Sequence, residues 1–232
     1  MKIENDGRRR KHEQLSTYKD CFYRRDYLSK RTYLQGEPGS GKTSFAAKLV
    51  YDWCNVHAPS TECTKDQMAF GDVDILHTFK FLFFISLRDS RKQTYVTHMI
   101  KTQLIYKIYA EDQWESAYKL VLKIMKNVMY LVVQDGLDEW PGEHAVPSID
   151  GIPIDHCIVL TTSRPWKLAD ERIKLKGKAI LKNSMKNYYD AYLTNQRIWK
   201  KTFSSFRHFL RGVALSRYLL RLCCTRLSSV PG

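Results

Sequence analysis

The chain lacks any apolar run long enough to cross a bilayer as a helix: its longest, Phe79 to Leu87, spans nine residues and is interrupted by Lys80. The amino terminus has no apolar core of a signal peptide behind Arg8-Arg9-Arg10-Lys11. A helical membrane protein is thereby excluded, secretion is disfavoured, and a cytoplasmic location is expected. Cysteine pairs at metal or redox spacing are missing too. The six cysteines, Cys21, Cys54, Cys63, Cys157, Cys223 and Cys224, contain no CxxC, and His156-Cys157 has no partner pair at zinc spacing. Reduced, mostly buried thiols are expected instead. No segment repeats, which excludes a solenoid within the chain.

Acidic residues are scarce in one region only, and this localises the formal charge of +14. Residues 1–171 carry 24 Lys/Arg against 23 Asp/Glu, a net of +1, whereas residues 172–232 carry 14 against the single Asp190, a net of +13. The basicity belongs to the tail and says little about what precedes it. With 44% hydrophobic and 27% charged residues in 232, the remainder suits one soluble α/β domain with a buried sheet.

Four strands are expected. Arg31-Thr32-Tyr33-Leu34 is short and ends at Gln35; Phe79 to Leu87 is apolar enough to be buried on both faces; Met129 to Gln134 delivers Asp135; Cys157 to Thr162 delivers Ser163-Arg164-Pro165. Helical spacing joins Phe45, Ala46, Leu49, Val50 and Trp53 over residues 43–54. It also joins Met99, Leu104, Ile105 and Ile108 over 95–109, and Ala117, Leu120, Val121 and Ile124 over 114–125. Residues 55–72 read as a loop, and Leu15, Tyr18, Phe22 and Tyr23 as a short amphipathic helix packed on the domain. Strands alternating with helices predict a three-layer sandwich with a mainly parallel central sheet.

The first strand runs into Gly36-Glu37-Pro38-Gly39-Ser40-Gly41-Lys42-Thr43, which fits G-x-x-x-x-G-K-[ST]. Glycines let such a loop wrap closely, so that backbone N–H groups point at phosphate oxygens, and the following helix adds its positive dipole end. Lys42 would reach the β- and γ-phosphates and the Thr43 hydroxyl would ligate Mg²⁺. Ser44 completes the run. The strand before and the apolar-faced helix after are the context this pattern requires.

About ninety residues on, Asp135-Gly136-Leu137-Asp138-Glu139 follows a hydrophobic strand. Carboxyl ends of strands are where open α/β sheets bind ligands, so Asp135 is placed to hold Mg²⁺, a hard cation that prefers oxygen. Asp138 and Glu139, in the next turn, suit the polarising of a water for attack on a γ-phosphate. Arg164 offers a planar fork of donors to that phosphate and so could report tri- against diphosphate.

Taken in order, Gly-Glu-Pro-Gly-Ser-Gly-Lys-Thr-Ser, Asp-Gly-Leu-Asp-Glu and Thr-Ser-Arg-Pro resemble the NACHT nucleotide-binding domain of NOD-like receptors, signal-transduction ATPases of the STAND class. The resemblance runs from about Lys30 to about Tyr192. It divides the chain into a lead-in (1–29), a P-loop NTPase domain (30–192) and a basic tail (193–232). It implies Lys42 and Thr43 as phosphate and magnesium residues, Asp135 as the magnesium aspartate, Asp138 and Glu139 as the acidic pair and Arg164 as the sensor arginine. It further implies ATP or ADP as ligand with Mg²⁺, slow hydrolysis, a closed ADP form, self-association or protein partners of the ATP form, and a role in innate-immune or stress signalling.

Family members usually continue into a small helical domain, a winged-helix domain and a repeat sensor, and the 40 residues of the tail cannot make these. A truncated product or an altered reading frame is as good an expectation for this acid-free segment as a designed function. Leu210, Val213, Leu215, Leu219, Leu220 and Leu222 could make a basic amphipathic helix there, which keeps a membrane surface open as a partner. Two rival readings stay beside the switch. One is a non-hydrolysing nucleotide-binding module that regulates longer relatives. The other is a nucleic-acid-acting P-loop ATPase, which the net +1 of the first 171 residues disfavours.

Overall fold

A computed structural model describes residues 17–24, 26–57, 70–149, 151, 153–170 and 178–180. The tail beyond residue 180, including the leucines expected to form a basic helix, lies outside the described residues, as do Leu15, Cys63, Cys223 and Cys224.

The chain enters through α1 (Tyr18–Phe22), started by a capping box in which Thr17 and Asp20 bond each other's backbone N–H. A hairpin of β1 (Tyr23–Arg24) and β2 (Tyr27–Leu28) leads into β3 (Arg31–Gln35), the glycine-rich loop and α2 (Lys42–His57). Next come β4 (Phe81–Ser86), α3 (Val96–Ile100), α4 (Tyr106–Ile108), α5 (Trp114–Met125), β5 (Tyr130–Asp135), β6 (Cys157–Ser163), α6 (Pro165–Asp170) and β7 (Lys178–Ile180). The sheet order is β4-β5-β6-β3-β7, and every pairing in it is parallel. The expected α/β class is therefore observed, with β7 as a strand that the sequence pattern did not reveal.

Both faces of the sheet are buried, and strand periodicity sorts the side chains between them. Phe81, Phe83, Ile85, Tyr130, Val132, Cys157 and Val159 pack with α3 and α5, whereas Leu82, Leu131, Val133, Ile158 and Leu160 pack with α1 and α2. Successive residues of β5 and β6 thus alternate between two cores, which makes helix–sheet–helix layers. The five apolar positions expected on α2, Phe45, Ala46, Leu49, Val50 and Trp53, are all buried. Each large side chain among them contributes about 1.5–3 kcal/mol by leaving water.

Four expectations need correction, the first being the helix read through Tyr23, which ends at Phe22 because Tyr23 turns extended and opens β1. The helix from residue 43 runs on to His57 rather than stopping at Cys54, because Asn55 is also enclosed and His57 Nδ1 stays bonded to Trp53 O. The region read as loop to residue 72 accordingly begins later; residues 58–69 lie outside the described set. The helix expected over 95–109 is interrupted by a π turn, Lys101–Ile105, between α3 and α4. That turn carries Gln103 onto the outer edge of β4, where its amide accepts from Ser86 N at 3.0 Å and donates to Ser86 O at 2.8 Å. A side chain thereby satisfies backbone groups that an edge strand would otherwise leave unpaired.

The polar side of α2 is not solvated either. Lys48 and Asp52 are 5% and 0% exposed and form an i,i+4 ion pair, capped by Tyr18 Oη donating to Asp52 Oδ2 at 2.7 Å. Asp72 accepts from the N–H groups of Tyr18 and Lys19, at 2.9 and 2.8 Å. The residues just before the sheet are therefore part of the same core, with Tyr18 and Phe22 fully buried.

Candidate functional site

The carboxyl ends of four parallel strands meet at one edge of the sheet. Gln35 is level with Ser163, Gln134 with Thr161, and Ser86 with Asp135. Because β6 lies between β3 and β5, the residues after β6 stand between the glycine-rich loop and the acidic turn. Gly36 N donates to Ser163 O at 3.3 Å and Leu87 N to Asp135 O at 2.9 Å, which ties the loops together where they leave the strands.

The glycine-rich loop is shaped by sterics. A Cβ on Gly36 would fall 2.3 Å from Ser40 Oγ and 3.1 Å from Ser40 Cβ, so the first glycine leaves room for the buried Ser40 side chain as the loop folds back. Gly39 and Gly41 have φ of +73° and +85°, a conformation that side chains resist. Ser40 Oγ is buried with no hydrogen-bond partner among the described residues, an arrangement tolerated at functional loops. Lys42 opens α2 and folds back, its ammonium donating to Gly36 O at 2.8 Å and Glu37 O at 3.0 Å. Burial pushes the Lys42 pKa below its ordinary value and Arg164 adds to this, while Asp138, Asp135 and Glu37 oppose it.

Asp135 is oriented by a neighbour that sequence reasoning missed. Thr162 Oγ1 donates to Asp135 Oδ1 at 2.6 Å and accepts from Gly136 N at 2.8 Å, so one buried hydroxyl fixes both the carboxylate and the turn after it. Gly136, at φ +85°, starts the short 3-10 helix Leu137–Glu139 that carries the acidic pair. Arg164 Nε bonds Asp138 Oδ2 at 2.8 Å, and Arg164 N bonds Asp138 Oδ1 at 3.1 Å. The Asp138 side chain is only 5% exposed, whereas the Arg164 side chain stays 39% open, so the pair is shielded on the carboxylate side alone. Arg88, at the end of β4, donates from Nε to Glu139 Oε2 at 2.5 Å. That bond above all holds the Glu139 pKa below its ordinary value; burial opposes it, and the charges of Arg88, Arg164 and Lys42 add to it.

A cleft of about 340 Å³ runs between these elements. Of the residues expected from the sequence, Pro38, Gly39, Lys42, Thr43, Asp135, Asp138, Glu139 and Arg164 line it. Gly36 and Glu37 sit behind Lys42 as its acceptors, while Ser40, Gly41 and Ser44 shape the loop and the first turn of α2 without lining the cleft. Ser86, Arg88 and Asp89 line it unannounced. The rule that ligands lie off the carboxyl ends of parallel strands would have found Arg88, which stands two residues after the end of β4.

The residues fit a phosphate chain and a hard cation. Loop glycines admit close backbone approach, Lys42 and Arg164 supply positive charge, and Thr43 and Asp135 supply oxygen donors on the same cleft. A family model for the NACHT domain matches residues 30–185. No curated protein matches the chain.

Proposed function

The chain belongs to the NACHT domain family of nucleotide-binding P-loop NTPases, and on that premise we propose that it is an ATP-operated signalling switch of the cytoplasm with slow hydrolysis. The observation that carries this reading is the convergence of Lys42, Thr43, Asp135, Asp138, Glu139 and Arg164 on one cleft. Thr43 and Asp135 would hold Mg²⁺, which when bound neutralises phosphate charge.

The switch follows from competition for Arg164. Its guanidinium is committed to Asp138 and is 39% exposed toward the cleft. A γ-phosphate offers that arginine a second anionic partner, which a diphosphate does not. ATP and ADP therefore differ in free energy between two arrangements of the acidic turn, the condition for a ligand to shift a conformational population. Asp138, once released, and Glu139 are within the same turn and can order or deprotonate a water. Signalling in innate immunity or stress, with self-association or protein partners in the ATP form, is the role this switch would serve.

Mg²⁺-dependent ATP binding, followed by titration calorimetry, tests the reading. Lys42→Ala is expected to lower affinity at least about tenfold, the loss of a charge-assisted bond and its Coulomb term. Equal binding by wild type and variant would sink the proposal. A second reading, a module that binds nucleotide without turning it over, is favoured by one feature: both acids of the turn are already engaged by arginines. Nucleotide retained with no phosphate release, and a longer relative co-purifying, would support it instead.

A further inference from the structure

Arg88 lies outside the three sequence motifs, yet it lines the cleft and pairs with the second acid of the turn. Its Nε donates to Glu139 Oε2 at 2.5 Å, while the other oxygen of Glu139 lies 3.9 Å from Arg164 Nη2. Both carboxylate oxygens therefore face guanidinium groups. The Arg88 side chain is 71% exposed, and ion pairs this open to solvent add little to folding stability. The pair sits on the lip of the cleft, where it can act on Glu139 rather than on folding.

We propose that Arg88 is a positioning residue that restrains Glu139, holding the carboxylate away from the attacking water and so keeping ATP hydrolysis slow. The proposal rests on the reading of Glu139 as general base. In that reaction the water oxygen bonds to the γ-phosphorus and the bond from that phosphorus to the β–γ bridging oxygen breaks. ADP departs with the bridging oxygen and its electron pair, and the proton of the water passes to the Glu139 carboxylate. A guanidinium on Oε2 opposes this in two ways. It occupies a lone-pair direction that the water needs, and it favours the ionised carboxylate, which makes a weaker base. The other charges facing Glu139 are Arg164 after β6, Lys42 at the start of α2, Asp89 beside Arg88, and Asp135 and Asp138 of its own turn. Arg88 is hydrogen-bonded to Glu139, whereas Arg164 stands 3.9 Å away.

The test uses the full chain and its Arg88→Gln, Arg88→Lys and Glu139→Gln variants, with Mg²⁺–ATP binding by calorimetry and phosphate release measured across acidic to neutral pH. Arg88→Gln is expected to raise kcat about two- to fivefold, the worth of one solvent-exposed ion pair lost from the resting arrangement, with ATP affinity followed separately by the calorimetry. The acid limb of its kcat profile moves to higher pH, because Glu139 returns toward the ordinary carboxylate range. Arg88→Lys, which keeps the charge but not the planar fork, falls between. Glu139→Gln abolishes turnover. A kcat for Arg88→Gln at or below wild type, or no turnover in either while both bind ATP, overturns the restraint and leaves nucleotide binding standing. Failure of the wild type to bind Mg²⁺–ATP, or full turnover by Glu139→Gln, overturns the underlying reading instead.

Discussion

Replacing Thr162 by valine isolates the contribution of one hydroxyl to the site. The side chain is 1% exposed and valine matches its shape, so packing is nearly unchanged. Two bonds disappear, one to Asp135 Oδ1 at 2.6 Å and one from Gly136 N at 2.8 Å. An unsatisfied buried donor costs about 1–3 kcal/mol, and a bond to a charged acceptor contributes about 1.5–3 kcal/mol. Asp135 is partly exposed and lines the cleft, so it recovers part of its share by binding water, which places the sum at about 2–3 kcal/mol. For a chain of this size that lowers Tm by roughly 4–12 °C. Asp135 also gains rotational freedom, so the Mg²⁺-dependent increment in ATP affinity falls about tenfold while the Mg²⁺-independent part stays. Scanning calorimetry and nucleotide titration with and without Mg²⁺ measure both, and Thr162→Ser, which keeps the hydroxyl, stays near wild type. Unchanged melting and unchanged Mg²⁺ dependence in Thr162→Val would refute the role assigned to this hydroxyl.

Two further outcomes test the surrounding core. Tyr18→Phe removes a 2.7 Å donor from a fully buried carboxylate, Asp52, and is expected to lower the stability measured in denaturant by about 2 kcal/mol; an unchanged midpoint would separate α1 from the folding unit. Burial, aided by the charge of Asp52, pushes the Cys54 thiol from 9.0 to about 12. The folded state therefore holds this proton more tightly than the unfolded chain. Its contribution to stability is complete below about pH 9 and is lost as pH rises toward 12. Alkylation of Cys54 at mildly alkaline pH, read by mass spectrometry, should be slow in the folded protein and fast in denaturant, and equal rates would contradict the burial.

The features legible in advance share one property: their cause is local in the chain. The apolar stripe of α2 follows from its own 3.6-residue spacing, and all five of its positions are buried. Tyr130 to Val133 of β5 and Cys157 to Leu160 of β6 form unbroken apolar runs because a parallel sheet covered on both faces wets neither. Features that escaped notice depend on what lies across the fold. Lys48 and Asp52 look like a solvated face of α2 until α1 covers them. The π turn at Lys101–Ile105 serves Gln103's bonds to Ser86, a contact that the hydrophobic spacing of residues 95–109 does not encode.

The same division runs through the site. Gly36 to Thr43 carry the pattern of a phosphate loop within one short stretch, since contiguous backbone N–H groups, flexible glycines and the start of a helix are all local in the chain. The residue types of that loop, with Asp135, Asp138, Glu139 and Arg164, were enough to indicate a nucleotide and a hard cation. Only the tertiary structure decided which cation meets which acid. Strand order places β6 between β3 and β5, so Thr162 reaches Asp135 and Arg164 reaches Asp138, while the outer strand β4 brings Arg88 to Glu139. These pairs are separated by 26 to 51 residues. Charge pairing over such separations is set by the register of the sheet, which no stretch of sequence contains alone.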